Sequence, residues 1–225
     1  MRYSANLNVI LKAIDKASLH MPRDFTELEN LQSNPASAEK FAAACYRKVK
    51  QVLIDDFAKV RPDFNLIFAD GQKIVNNENA EYSYTIYPID GFSNLMRSNP
   101  DFTVAVALEH HNKAGEKEAI SVGISKVFGG ELYYCEKGFG AYLNNRRIRV
   151  SKRNSGEILS ASELEQSPRA YGSRTLTLAY LASSRIERAV FSKEDFELFK
   201  PFLLLIREAG GRIVEDEKSV SVFNV

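Results

Sequence analysis

The stretch Tyr87-Pro88-Ile89-Asp90-Gly91-Phe92-Ser93-Asn94-Leu95 combines a carboxylate, a turn and a helix start. The β-like run Tyr82-Ser83-Tyr84-Thr85-Ile86 leads into it, Asp90-Gly91 turns the chain, and a short helix follows. A helix start leaves backbone N–H groups without internal acceptors, and such groups can hold a phosphate. Gly91, Phe92 and Ser93 are therefore candidate phosphate-binding positions through their backbone. The plainer alternative is an ordinary helix start. A carboxylate beside a bound phosphate can hold a hard cation, which makes Asp90 a candidate metal ligand. It is the only carboxylate in the stretch.

Other reactive side chains are poorly placed for chemistry. His20, His110 and His111 have no Cys, His or carboxylate at metal-ligand spacing, so they read as structural or surface residues. Ser93 lacks a recognisable base and is not expected to be a nucleophile. Arg146, Arg147, Arg149, Lys152 and Arg153 form a basic hairpin. It reads as solvated surface, or else as a contact for RNA or an acidic partner, and no RNA-recognition motif accompanies it. Cys45 and Cys135 sit in unrelated contexts, as expected of two buried thiols in a reduced, cytoplasmic protein without a disulfide.

Composition sets the outer limits. The chain has 225 residues, enough for a single domain built of two closely packed lobes, one over about 1–150 and one over about 151–225. Thirty Lys and Arg stand against 29 Asp and Glu, so no overall charge excess points to nucleic acid or an anionic membrane. No apolar run is long enough to span a bilayer, and no signal-peptide core opens the sequence.

The elements that must position Asp90 follow from periodicity. Residues 3–18 predict a helix carrying Leu7, Ile10, Leu11 and Ile14 on one face. After the break at Asn34-Pro35, Ser37 is the expected N-cap of a long helix over 38–60. Phe64 to Phe68 and Tyr82 to Ile86 read as strands. From Phe102 to Val150, alternating runs joined by short loops predict consecutive antiparallel strands. Residues 151–170 carry no clear period. Tyr171-Gly172-Ser173 opens a helix, residues 186–191 read as a strand, 196–209 as a helix, and 212–214 as a closing strand.

The opening stretch resembles the D-P-[IL]-D-G-[TS]-x-N motif of the inositol monophosphatase family. Pro88, Ile89, Asp90, Gly91 and Asn94 match it. Further similarity runs through Gly138, Gly140, Ala141, Asn144 and Arg146 to Val150, through Gly172-Ser173 with Leu178-Ala179-Tyr180, and through Leu205 to Gly211. Asn30-Leu31-Gln32 after the first helix is similar to the SuhB-type bacterial branch. The resemblance implies an α/β layered sandwich, with mixed and antiparallel sheets between helix layers, and a homodimer. It also implies Mg²⁺-dependent hydrolysis of inositol or sugar monophosphates. For the SuhB branch it implies a protein or RNA partner of the transcription machinery.

The departures from the family pattern fall on the chemistry. Where the family has a Glu-Glu pair, this chain has Ala69-Asp70. Tyr87 replaces a bridging aspartate, Phe92 replaces a hydroxyl, and Leu198 stands at the final aspartate. Tyr46 stands near where another aspartate is expected, and Ala36 near a lysine. Asp90 and the Ile89 backbone carbonyl are the ligands that remain. Asp70, and after it Asp195, are the acids placed to substitute. Glu197 is rotated about 100° from the Leu198 face of its helix and is less useful. Mg²⁺ binding is expected to be weak or absent. The expectation is a diverged family member with lost or very weak phosphatase activity and a binding or regulatory role. The alternative is a Mg²⁺-dependent phosphatase with relocated carboxylates. The family pattern also leads one to expect a strand and helix after Asp216-Glu217 that this sequence is too short to supply in full.

Overall fold

A computed structural model describes residues 4–112, 115–164 and 169–224. The expected helix start at Tyr3, part of the loop between Asn112 and Glu116, and part of the unassigned 151–170 segment lie outside the described residues.

Three helices form one layer: α1 (Ala5–Ser18), α2 (Met21–Asn30) and α3 (Pro35–Val60). Asn34, not Ser37, caps α3: its Oδ1 accepts the Ser37 N–H at 3.2 Å. The reason is Pro35, which fits the first helical position and moves the cap back to the residue before it. The apolar faces of these helices pack on one side of an eight-stranded sheet.

That sheet is built from β1 (Asn65–Phe68), β2 (Lys73–Ile74), β3 (Tyr82–Asp90), β4 (Thr103–His111), β5 (Lys117–Lys126), β6 (Glu131–Glu136), β7 (Gly140–Leu143) and β8 (Arg146–Ile148). Its spatial order is β2-β1-β3-β4-β5-β6-β7-β8. All neighbours are antiparallel except β1 and β3, which run parallel. Alternation divides the core in two. Tyr84, Ile86, Val104, Val106 and Leu108 meet the α1–α3 layer, while Ala105, Ala107, Val122, Ile124 and Cys135 face the other way.

On that second face lie α5 (Arg174–Ala182) and α7 (Leu204–Ala209). Beyond them is a four-stranded sheet ordered β11-β12-β10-β9, with β9 (Ser160–Ser162), β10 (Arg188–Ser192), β11 (Arg212–Glu215) and β12 (Ser219–Phe223). Every residue of α5 after Arg174 is buried, as an element between two sheets requires. The result is an α/β layered sandwich, as expected.

Two readings of the C-terminal part change. The helix expected over 196–209 is interrupted: α6 (Phe196–Phe199) passes into a 3₁₀ turn at Lys200–Leu203 before α7 begins. Pro201 has no N–H to give an α-helical ladder, so the break falls there. The strand over 212–214, read as the closing one, is followed by a further strand, β12, which pairs with both β10 and β11.

Candidate functional site

Strand β3 does not stop at Ile86; it runs on to Asp90. Its pairing with β4 slips between Tyr87, opposite Ala105, and Asp90, opposite Thr103. Pro88 has no N–H for the ladder, so a bulge forms here and re-aims the residues after it. Ile89 lies in this bulge, outside the paired register, with its side chain buried in the α1–α3 core. Gly91 then turns the chain with φ of +95°. A Cβ there would lie 3.0 Å from the Asp101 carbonyl and 3.2 Å from Ser173 Cβ, so both the turn and the packing demand glycine. The short helix α4 (Phe92–Met96) follows, opening with the N–H groups of Phe92 and Ser93.

The Asp90 carboxylate points at α5. Its Oδ2 accepts from Ser173 Oγ at 2.8 Å, from the Thr175 N–H at 2.7 Å and from Thr175 Oγ1 at 2.7 Å. Ser173 is also the N-cap of α5, its Oγ accepting the Leu176 N–H at 3.2 Å. Asp90 thus serves as a second cap on that helix, supplied from the other side of the fold, where the helix dipole favours a negative charge. Burial pushes its carboxyl up from the usual range, against the lowering effect of the Thr175 and Ser173 bonds. Asn94 makes a parallel connection: its Nδ2 donates to the carbonyls of Asp101 and Tyr171, each at 2.6 Å.

The other positions compared with the family's ligands lie around this joint. Tyr87 is buried, its ring edge-on to Phe202 at 5.3 Å between centroids. Burial raises its hydroxyl, and the charge of Asp90 adds to that. Leu198 is partly buried against the core that contains Tyr87. Asp195, the N-cap of α6, is close enough to act on the Tyr87 hydroxyl electrostatically.

On the other flank, Phe92 packs edge-on to Tyr46 at 6.2 Å. Together with Ala43, Arg47, Ala69 and Asp70 they line a hollow of about 390 Å³. Asp70 Oδ2 accepts from Tyr46 Oη at 3.2 Å and is ion-paired with Lys50, while Oδ1 accepts the Gln72 N–H at 3.1 Å. Partial burial would raise the Asp70 carboxyl, but the Lys50 bond and the Gln72 N–H outweigh it and hold the group below its usual range.

Two cations are fixed near these positions, one at Asp70 and one at Asp90. Lys50 is beside Asp70, its ammonium 4.5 Å from the centre of the Phe68 ring. Arg174 is beside Tyr87 and Asp90, its Nε bound to Glu163 at 2.9 Å and its terminal nitrogen to the Glu194 carbonyl at 2.9 Å. Neither was singled out by sequence, and neither were Ser173 and Thr175 as partners of Asp90. Gly172-Ser173 was legible as a helix opening. Its use of a carboxylate 83 residues away was not, because separation along the chain carries no such signal.

These residues do not fit a Mg²⁺ cage. Among the described residues no group of three or more His, Cys, Asp or Glu is arranged to hold a metal ion. A hard cation of this kind wants several oxygens in octahedral array. Asp90 Oδ2 and both oxygens of Asp70 are already engaged by protein donors.

The remaining sequence candidates are placed as follows. His111 Nε2 is 2.8 Å from Ser83 Oγ, and His110 lies against the Tyr82 ring. His20 precedes α2. Cys45 and Cys135 are both free and buried, and burial pushes the Cys45 thiol up to about 11. Of the basic hairpin, Arg153 is paired with the buried Glu187 at 2.7 Å.

Comparison with known proteins agrees with the fold and the family resemblance. The profile of the inositol monophosphatase family matches residues 3–192. The inositol-1-monophosphatase of Rhizobium meliloti is 31% identical over 235 residues, covering 94% of this chain and 85% of that protein. Nus factor SuhB of Vibrio cholerae is 27% identical, covering 93% of this chain and 84% of its own. Among solved structures, the extragenic suppressor protein SuhB of Bartonella henselae superposes with a TM-score of 0.81 at 24% identity, covering 99% of this chain and 94% of that one. The layered fold thus has its counterpart in known proteins, and the chain belongs to the inositol monophosphatase family.

Proposed function

We propose that this chain uses the inositol monophosphatase fold as a binding scaffold and has lost, or nearly lost, the family's Mg²⁺-dependent phosphatase activity. The observation that carries this reading is the engagement of Asp90. The one motif carboxylate that remains has one of its oxygens, Oδ2, held by three donors at the start of α5. Tyr87, Phe92 and Leu198 put rings and aliphatic carbon where oxygen ligands are needed, and fixed positive charge stands beside both remaining acids, Lys50 at Asp70 and Arg174 at Asp90. A phosphoryl-transfer site depends on metal to orient phosphate and water, and a site without that metal keeps only its shape.

In this reading the chain is one domain, acts in the cytoplasm as a homodimer and binds a partner of the transcription machinery. The relatives called Nus factor SuhB support the last point. The Gly91-Phe92-Ser93 backbone remains the place for a weakly held anion, and the Ile89 carbonyl and Asp70 the place for a weakly held cation.

The test is phosphate release from inositol 1-phosphate by the pure protein, with and without Mg²⁺. No release above background in either case, and a melting temperature indifferent to Mg²⁺, is the expected result. Metal-dependent turnover that disappears in Asp70→Asn would establish the relocated-ligand phosphatase instead. Sedimentation at the monomer mass would remove the homodimer.

A further inference from the structure

At the β8 edge of the large sheet, the end of α7 and the hairpin formed by β7 and β8 enclose a cleft of about 380 Å³. Its lining carries four cations, Arg147, Arg149, Lys152 and Arg207, against one acid, Glu208. All four cations are exposed, and none has an ion partner among the described residues. Elsewhere the arginines Arg153, Arg174 and Arg185 each hold a carboxylate.

The one acid is engaged elsewhere. Glu208 Oε1 accepts the Gly138 N–H at 2.8 Å and Oε2 accepts the Gly140 N–H at 2.7 Å, so both oxygens are held by the turn into β7. The helix end offers little more. The carbonyls of Arg207, Ile206 and Ala209 already accept from the Gly210, Gly211 and Val150 N–H groups. Arg147 is laid against the backbone of Gly140, where an added Cβ would come within 3.0 Å of its Nε. One guanidinium therefore lies along the floor of the cleft, against the glycine backbone.

Crowded like charges repel, and an anion with several charged oxygens relieves that repulsion. Guanidinium forks match phosphoryl oxygens in pairs, and a lysine adds a point charge. The volume lies at the small end of ligand pockets, which run from about 300 to 1,000 Å³. We propose that this cleft is an anion site for a ligand carrying two or more adjacent phosphoryl groups. The source is a free oligophosphate, or the backbone of a nucleic-acid strand. For a strand, Phe139, 69% exposed between Gly138 and Gly140, stands beside the cleft as a surface for base stacking.

The experiment titrates the full chain at physiological ionic strength with two probes. Sodium tripolyphosphate is followed by calorimetry, and a labelled single-stranded oligonucleotide by fluorescence anisotropy. Saturable binding of either probe is expected, weakened about tenfold or more in Arg147→Glu/Arg149→Glu, since phosphate contacts carry the affinity. The control Lys12→Glu/Lys40→Glu changes the net charge equally on exposed positions of α1 and α3, and is expected to bind as wild type does. Melting curves check that both variants are folded. Binding of tripolyphosphate alone assigns a free oligophosphate, and stronger binding of the oligonucleotide assigns the strand. No binding of either probe, or equal loss in the control, overturns the proposal. The outcome is independent of phosphatase activity at Asp90.

Discussion

Thr175 Oγ1 lies 2.7 Å from Asp90 Oδ2 and 2.6 Å from Thr103 Oγ1. The single hydroxyl proton of Thr175 goes to the carboxylate, so Thr103 donates to Thr175. A hydroxyl chain thus runs from β4 through the first turn of α5 to the end of β3. Thr175→Val keeps the shape and the backbone N–H bond but removes both hydroxyl bonds, leaving the buried Thr103 hydroxyl without its acceptor. A loss of about 1–3 kcal/mol is expected in urea unfolding, with the slope unchanged and Thr175→Ser close to wild type.

The titration of Asp90 has a definite sign. Its folded pKa is raised, so above the ordinary carboxylate range the native state binds the proton more tightly than the unfolded chain does. Its contribution to stability is therefore greatest at acid pH and falls as pH rises toward its elevated folded value. Asp90→Asn removes that limb. The stability difference between wild type and Asp90→Asn, from urea curves at a series of pH values, should decline upward from about pH 4. Asp70, held below its usual range by Lys50 and Gln72, acts oppositely: its contribution is lost as pH falls, in both proteins alike.

Substitution at Tyr87 tests the proposed exchange of a metal ligand for core. Tyr87→Asp alone removes a buried ring from Phe202 and places a carboxylate where burial penalises charge, at an expected cost of about 3–5 kcal/mol. With Ala69→Glu, Phe92→Thr and Leu198→Asp added, the acids gain one another as a cage. The four-fold variant should then melt higher on addition of Mg²⁺, whereas the wild type should not. Scanning calorimetry with and without Mg²⁺ measures both.

Much of this was open to sequence reasoning. Periodicity located the long helix that ends at Val60, the alternation in β4 and β5, and the turn at Asp90-Gly91. Local steric rules went astray where a proline acted: Pro35 moved a cap to Asn34, and Pro201 broke a helix that its apolar pattern continues through. The site divided differently. The residue types at 69, 87, 92 and 198 could be set against the family pattern one by one, because each is a matter of chemistry at a position. The use made of Asp90 was not, because its donors come from a helix 83 residues further on. Lys50 was hidden for a similar reason: it is buried on the inner side of α3, unlike the other lysines of that helix, and only the fold brings it to Asp70.

A bulged strand, Asp90 and the first turn of α5 form a rivet between elements that no nearby backbone ladder joins. Such a rivet is needed whether or not any reaction takes place. The presence of an aspartate at this position therefore speaks for architecture before it speaks for an active enzyme.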